Sequence, residues 1–296
     1  MAWLAVTLKL PPDRADLLVD ALLESGAVSV DVADAFAGTP RECAQFNEPG
    51  EPASPQWELA LVSALFDDRA DVAALLPPAL DAAGCDPAHA YEVSAVAEQD
   101  WVRAAQADFR PVHVSPRLWV VPTWHRPPDP AAINLIIDPG LAFGTGTHPT
   151  TRLCLDWLDR NLRAGATVLD YGCGSGILAI AAMKLGAVAA SAIDIDPAAV
   201  LAARDNAMQN QTRVRVEGAD YVIAETFDVV VANILANPLK LLAPVLARAT
   251  KRGGQLILSG ILEHQADEVI NSYTEWLELQ IDRREDGWVL LAGRRR

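Results

Sequence analysis

The feature that most constrains the fold is a regular alternation of short apolar segments with amphipathic ones after Ala131. The apolar segments have the length and composition of strands, and the segments between them repeat at helical spacing. Such alternation predicts a parallel sheet that is covered by helices on both faces. We expect its strands at residues 167–172, 188–195, 213–218, 227–234 and 255–261.

The end of the chain departs from this alternation. Residues 277–295, LELQIDRREDGWVLLAGRR, indicate two strands joined at Glu285, Asp286 and Gly287, a hairpin signal. We therefore predict an α/β domain over residues 131–296: a doubly wound, Rossmann-like sheet that ends in an antiparallel hairpin.

The first third of the chain has a different order: strand, helix, strand, loop, strand, helix, strand. This βαββαβ order is typical of a small ferredoxin-like α+β domain, which we place at residues 1–97. Residues 98–130 then form a connector with prolines near both ends. Because the first domain has no catalytic constellation, we expect it to recognise a macromolecule or to give structural support.

Composition excludes several classes of protein. The four cysteines and five histidines are scattered without a CxxC pair, so we expect neither a disulfide framework nor a metal site. No apolar run is long enough to span a membrane, and the N-terminus lacks the pattern of a secretory signal, so we expect a cytoplasmic protein. We also expect it to be a monomer. The net charge of −15 disfavours direct nucleic-acid binding and suits a basic partner, or serves solubility alone.

A glycine turn is predicted between the first strand of the parallel sheet and its helix. In VLDYGCGSGILAIAA, Gly172, Gly174 and Gly176 allow a sharp turn and the close approach of a ligand. Asp170 would oppose a pyrophosphate at this helix N-terminus, but it suits a cationic ligand without phosphate. S-adenosylmethionine, with a sulfonium and an ammonium group, is such a ligand; the alternative is that Asp170 only hydrogen-bonds the turn.

Three further acids follow the next two strands. Asp194 lies about twenty residues after the glycines, where an acid accepts hydrogen bonds from ribose hydroxyls. Asp196, before Pro197, is placed to cap the next helix. Asp220 follows the third strand and either faces the adenine edge or is an ordinary loop acid.

Asn233 ends the fourth strand, at the sheet edge where open α/β sheets place their chemistry. Its amide can accept one hydrogen bond and donate another. We expect it to orient an incoming amine or to hold the cofactor, with a cap of a helix or turn as the alternative.

The segment DPGLAFGTGTHPTT, residues 138–151, resembles a phosphate-binding loop but has no lysine. We expect its glycines to let it fold over the methionine end of the cofactor, with Phe143 covering the cofactor or a lysine stem. Thr151 offers its hydroxyl to the cofactor or, like Thr150, caps the following helix. His148 is either a general base or an anchor for the loop.

The motifs DPGLAFGTGTHPTT, DYGCGSGILAIAA, DIDP and VVVANILANPL resemble those of class I S-adenosylmethionine-dependent methyltransferases. Among these, nearly the whole chain is similar to the bacterial family that methylates the large-subunit ribosomal protein L-eleven (L11). The resemblance implies trimethylation of the N-terminal α-amine and lysine ε-amines of L11, free or on the ribosome, with substrate recognition by the first domain. It also implies cofactor-binding roles for four residues: Thr151, Gly172, Asp194 and Asn233.

Other functions remain as alternatives at this level. Methyltransferases of glutamine amides or adenine amines typically carry Asn-Pro-Pro-aromatic after the fourth strand, whereas residues 233–236 are Asn-Ile-Leu-Ala. A small-molecule methyltransferase would have less use for the separate first domain. Asp170 and Ile177 disfavour an NAD-dependent oxidoreductase, and the intact set of Asp170, Asp194 and Asn233 disfavours an inert ribosome-binding module.

Overall fold

A computed structural model describes residues 3–43, 57–96, 109–138, 146–218 and 220–296. The chain divides into two compact units, Met1–Ala104 and Ala105–Arg296. In the described ranges, no helix is long and apolar enough to cross a membrane. The same ranges contain no group of three or more His, Cys, Asp or Glu side chains that could hold a metal ion.

The N-terminal unit has the predicted βαββαβ order. Its elements are β1 (Trp3–Leu10), α1 (Ala15–Glu24), β2 (Ser29–Asp34), β3 (Ala60–Asp67), α2 (Val72–Ala82) and β4 (Glu92–Val96). The strands form one antiparallel sheet in the order β2-β3-β1-β4. Alternate residues of β1 and β3 are buried with the apolar faces of α1 and α2, so the period-two pattern of these strands produces a core on one face of the sheet.

A three-stranded sheet precedes the large sheet of the second unit. It consists of β5 (Val112–Ser115), β6 (Leu118–Val121) and β7 (Ile133–Ile136). The third strand was not predicted. The side chain of Asn210 holds it in place, donating to the carbonyl of Ile136 and accepting from its amide at 2.6 and 2.8 Å.

The second unit then alternates helix and strand as predicted. Its elements are α3 (Pro149–Asn161), β8 (Thr167–Tyr171), α4 (Ile177–Lys184), β9 (Ala189–Ile193), α5 (Pro197–Gln209), β10 (Val214–Glu217), β11 (Phe227–Asn233), α6 (Ala236–Leu241), α7 (Ala243–Ala249), β12 (Thr250–Leu262), α8 (Ala266–Tyr273), β13 (Leu277–Glu285) and β14 (Trp288–Arg295). All five predicted parallel strands are present, and β12 begins five residues before the predicted 255.

The large sheet has the order β10-β9-β8-β11-β12-β14-β13. The first five strands in this order are parallel, and β14 runs antiparallel to both of its neighbours. Helices bury both faces of the sheet in two apolar cores. The chain proceeds outward from β8 to β10 and then returns to the other side of β8 at β11, so a crevice opens at the carboxyl ends of β8 and β11.

The predicted C-terminal hairpin is confirmed. Its strands, β13 and β14, meet at a two-residue turn in which Asp286 and Gly287 have φ values of 50° and 80°. Two successive positive φ values match the right-handed twist of the flanking strands, and aspartate and glycine tolerate this conformation better than other residues. The expected fold class, a Rossmann-like α/β unit with an added N-terminal α+β unit, is therefore correct.

Candidate functional site

Asp170 lies in β8 at the crevice and is fully buried. Its Oδ2 accepts a hydrogen bond from the backbone N–H of Ala179, in the first turn of α4, at 3.1 Å. The second oxygen, Oδ1, has no hydrogen-bond partner among the described residues. One oxygen thus supports the helix that follows the glycine turn, not the turn itself as the alternative expected, and the other remains a buried acceptor.

The surroundings of Asp170 oppose its negative charge. Its pKa is raised to about 7: burial is the largest cause, the hydrogen bond from Ala179 acts in the opposite direction, and the nearby charge of Asp194 adds to the rise. The neighbouring thiols of Cys154 and Cys173 have raised pKa values, because both are buried and both lie close to the Asp170 carboxyl. The site therefore favours a bound cation and disfavours a bound anion.

The glycine turn follows β8 directly. Gly172, Gly174 and Gly176 have φ values of 72°, 51° and 76°, which side-chain-bearing residues rarely adopt. A Cβ atom on Gly172 would lie 2.4 Å from the Cγ2 of Ile234, after the end of β11. Glycine at 172 is therefore required both by the backbone and by the closeness of the opposite wall of the crevice.

Asp194, just after β9, holds this turn. Its Oδ2 accepts the N–H of Gly174 at 2.7 Å, and its Oδ1 accepts the N–H of Asp196 at 3.0 Å. Sequence reasoning predicted a ribose contact and missed this contact with the turn. Each oxygen has a second lone pair, so the observed bonds are compatible with the predicted one. Asp196 caps α5 as predicted, accepting from the Ala198 N–H at 2.8 Å, with Pro197 at the first helical position.

Asn233 and Thr151 are brought together although they are 82 positions apart. The Nδ2 of Asn233, at the end of β11, donates to the Oγ1 of Thr151 in the first turn of α3, at 3.4 Å. Thr151 is buried. Helix α3 is capped by His148, whose Nδ1 accepts from the Thr150 N–H at 3.3 Å, so the alternative of Thr150 or Thr151 as the cap is wrong.

His148 is tied to its surroundings on several sides. Its Nδ1 also lies 2.7 Å from the Oγ1 of Thr150, and its ring packs edge-on against Trp288 with centroids 5.0 Å apart. Burial lowers its pKa, and the positive charge of Arg152 lowers it further, so both effects favour the neutral imidazole. These contacts agree with an anchoring role; the role of His148 as a general base stays a prediction.

Of the other predicted residues, Asp220 is exposed on the loop after β10. Phe143 lies outside the described residues, as do Gly140 and Gly144. Two contacting residues escaped sequence reasoning. Ile234 could have been noticed as the residue that directly follows Asn233. Arg152 donates a hydrogen bond to Glu285 of the C-terminal hairpin, and nothing in the sequence signals this contact.

The order of the large sheet, with its antiparallel C-terminal hairpin and its glycine turn beside two acids, defines an S-adenosylmethionine-dependent methyltransferase. The residues present fit this cofactor: a buried oxygen of Asp170, without a partner in the described part of the chain, suits its cationic groups, and the tight glycine turn suits its close approach. The family model described as ribosomal protein L11 methyltransferase (PrmA) matches residues 2–296, and the chain belongs to this family.

Similar proteins agree over the full length. The ribosomal protein L11 methyltransferase of Dechloromonas aromatica is 53% identical over 294 residues, covering 99% of each chain. The one from Nitrosomonas europaea is 50% identical over 313 residues, covering 100% of this chain and 98% of the other. The crystal structure of ribosomal protein L11 methylase from Lactobacillus delbrueckii subsp. bulgaricus is 35% identical, with a TM-score of 0.58 over 64% of this chain and all of that one.

The raised pKa of Asp170 predicts that cofactor affinity depends on pH. Without ligand the carboxyl holds a proton below about pH 7, whereas a cationic ligand favours the ionised form. Binding then releases a proton, so the Kd for S-adenosylmethionine should fall by about tenfold per pH unit between roughly pH 5.5 and 7 and level off above. Titration calorimetry at several pH values measures this, and Asp170→Asn should bind with little pH dependence. A steep dependence retained in Asp170→Asn would assign it to another group.

The raised pKa of Asp170 also makes the free energy of unfolding depend on pH. The pKa of Asp170 is raised from 3.8 by folding, so between about pH 4 and 7 the folded chain holds a proton that the unfolded chain has lost. The unliganded protein should therefore lose stability as pH rises through this window, and Asp170→Asn should reduce the loss.

Proposed function

We propose that this protein transfers methyl groups from S-adenosylmethionine to the N-terminal α-amine and the lysine ε-amines of ribosomal protein L11, up to three per α-amine or ε-amine. The full-length family match carries this proposal, since the relatives that share the whole chain are named for that substrate. The site is compatible with S-adenosylmethionine as the methyl donor, because the side chains beside the glycine turn are acids, which suit a cationic cofactor.

The arrangement of the crevice supports a set of cofactor-binding roles. We propose that Gly172 and Gly174 contact the cofactor through their backbone and that Asp194 accepts from its ribose. Asp170 compensates the positive charge of the methionine end, and Thr151 with Asn233 lies beside it. Two further contacts complete the set as predictions: Phe143 over the cofactor and Asp220 at the adenine edge.

The reaction requires a neutral amine in line with the methyl group. When bound, S-adenosylmethionine supplies an electrophilic methyl group on a positively charged sulfur that departs as a neutral thioether. A lysine amine has a reference pKa of about 10.4, so it must lose a proton before it attacks. We propose that the Asn233 amide oxygen orients the amine, while the neutral His148 is the candidate base.

Charge supports substrate recognition by the N-terminal unit. Residues 1–104 contain 18 acidic and five basic side chains, so they carry −13 of the net −15 of the chain. Such a field attracts a basic partner and raises its rate of association. We propose residues 1–97 as the recognition domain, 98–130 as the connector and 131–296 as the catalytic domain of a cytoplasmic monomer that does not bind nucleic acid directly.

The salt dependence of the KM for L11 should show whether the acidic N-terminal unit recognises the substrate or serves solubility alone. If the acidic unit attracts L11, raising salt from about 50 to about 500 mM shortens the screening length roughly threefold and should raise the KM for L11 at least about fivefold. Cofactor Kd, measured in the same buffers, is the control and should change less than about twofold. A KM that does not respond to salt would leave the acidity to solubility alone.

The proposal itself is tested by transfer of labelled methyl groups. Unmodified L11 should accept label, and L11 whose amines have been chemically blocked should not. Label on blocked L11 would show that the acceptor is not an amine.

A further inference from the structure

Arg152, in the first turn of α3, joins the glycine-rich segment to the turn of the C-terminal hairpin. Its Nη1 donates to the carbonyl oxygen of Thr147 at 2.7 Å. Its Nε donates to the Oε1 of Glu285 at 2.8 Å, and its Nη2 donates to the same oxygen. One guanidinium thus bridges two segments that are well over one hundred positions apart in the chain.

The ion pair between Arg152 and Glu285 is partly buried, so water screens it less than it screens an exposed pair. The Arg152 and Glu285 side chains are 29% and 33% exposed, whereas Asp286, 3.6 Å from the same guanidinium, is 72% exposed. A charged hydrogen bond at the planar guanidinium fixes direction as well as distance, and partial burial reduces its screening by water. Glu285 is therefore the principal partner of Arg152 on the hairpin.

A second contact joins the same two segments. The ring of His148 packs edge-on against Trp288, the first residue of β14, which pairs with Glu285 across the hairpin turn. The carbonyl of His148 in turn accepts the N–H groups of Thr151 and Arg152 at 3.1 and 3.2 Å. The hairpin therefore holds Thr147 indirectly, through Arg152 and its ion pair with Glu285, and holds His148 directly, through the ring of Trp288.

The held segment leads directly into the site. Thr151 follows it, and the hydroxyl of Thr151 lies 3.4 Å from the Asn233 amide nitrogen. Arg152 itself points to Thr147 and Glu285, so its influence on the crevice passes through the position of this segment.

We propose that Arg152 and Glu285 are positioning residues for the cofactor site: the hairpin turn, through Arg152, fixes residues 147–151 so that Thr151 is placed against Asn233. This inference rests on the proposed cofactor roles of Thr151 and Asn233. A segment held in its bound conformation loses less entropy on binding, so loosening it weakens affinity for the cofactor.

The same helix–hairpin interface provides a matched control. Farther along α3, Arg160 donates to Asp156 at 2.9 Å and to Asp282 of β13 at 3.3 Å. The Asp282 side chain is 28% exposed, close to the value for Glu285. Asp282→Asn therefore removes one carboxylate charge between α3 and β13, as Glu285→Gln does, at a point away from Thr147.

The test measures the Kd for S-adenosylmethionine by titration calorimetry and the melting temperature, both on full-length protein. Glu285→Gln should raise the Kd about five- to tenfold, while Asp282→Asn should change it less than about twofold at a similar loss of melting temperature. A Kd unchanged by Glu285→Gln, or raised equally by Asp282→Asn, would overturn the positioning role.

A double variant shows whether the two residues act together. If Glu285 acts through Arg152, Arg152→Gln combined with Glu285→Gln should bind the cofactor as weakly as Arg152→Gln alone. Independent, multiplying losses would overturn the coupling. These experiments measure cofactor binding, so they test the positioning role separately from the proposed substrate. A wild-type chain that binds S-adenosylmethionine but leaves L11 unmethylated would overturn the proposed substrate only.

Discussion

Gly172→Arg is expected to weaken binding of S-adenosylmethionine at least about 100-fold, equal to about 2.7 kcal/mol. The new Cβ would lie 2.4 Å from the Cγ2 of Ile234, and the backbone at φ 72° would disfavour any side chain by about 1–2 kcal/mol. The rest of the arginine would occupy the crevice and bring a positive charge to a site suited to a cationic ligand. Calorimetric titration measures the loss.

Gly165→Ala separates the cost of a side chain at positive φ from the effect of filling the crevice. Gly165 has a φ of 80°, similar to that of Gly172, but a Cβ there would meet nothing within 4 Å. The control should lose stability comparable to the backbone cost and keep wild-type affinity. Folded Gly172→Arg that still binds the cofactor normally would contradict the assignment of the turn.

The second large effect is expected from Asp194→Ala, which should raise the cofactor Kd about 100-fold. The carboxylate accepts the N–H groups of Gly174 and Asp196, and charged hydrogen bonds of this kind contribute about 1.5–3 kcal/mol each. Without them the turn loses its fixed shape, and the proposed acceptor for the ribose hydroxyls is lost as well. Titration calorimetry with S-adenosylmethionine gives the Kd.

Asp196→Ala is the matched control, two residues away in the same loop. It removes only the cap of α5, which is expected to cost about 1 kcal/mol of stability and less than about threefold in affinity. Equal losses of affinity in both variants would indicate general disturbance of the loop and would refute a specific role for Asp194.

The large sheet could be predicted because the hydrophobic periodicity and the turn residues indicate the same strands and helices along the chain. Apolar runs of strand length alternate with amphipathic ones, and the hairpin turn carries aspartate and glycine at the two positions that need positive φ. Strand β7 was not predicted, because INLI is short and its pairing with β6 depends on a distant asparagine, Asn210. No local pattern indicates such a contact.

In the site, too, some residues could be predicted from local sequence and others could not. The glycines and Asp196 carry their roles in local sequence, since turns and caps depend on neighbouring residues. The capping of α3 by His148 escaped prediction because histidine is an unusual cap. The bridge from Arg152 to Glu285 could not be predicted from local patterns at all, since it depends on where the hairpin returns in the folded sheet.

The most direct test of the central claim is the intact mass of unmodified L11 after incubation with this protein and S-adenosylmethionine. We predict mass gains in methyl-sized steps that end at multiples of three, with tandem mass spectrometry locating every methyl group on the N-terminal amine or on lysine side chains. An unchanged mass of L11, obtained with protein that binds the cofactor, would contradict the proposed function.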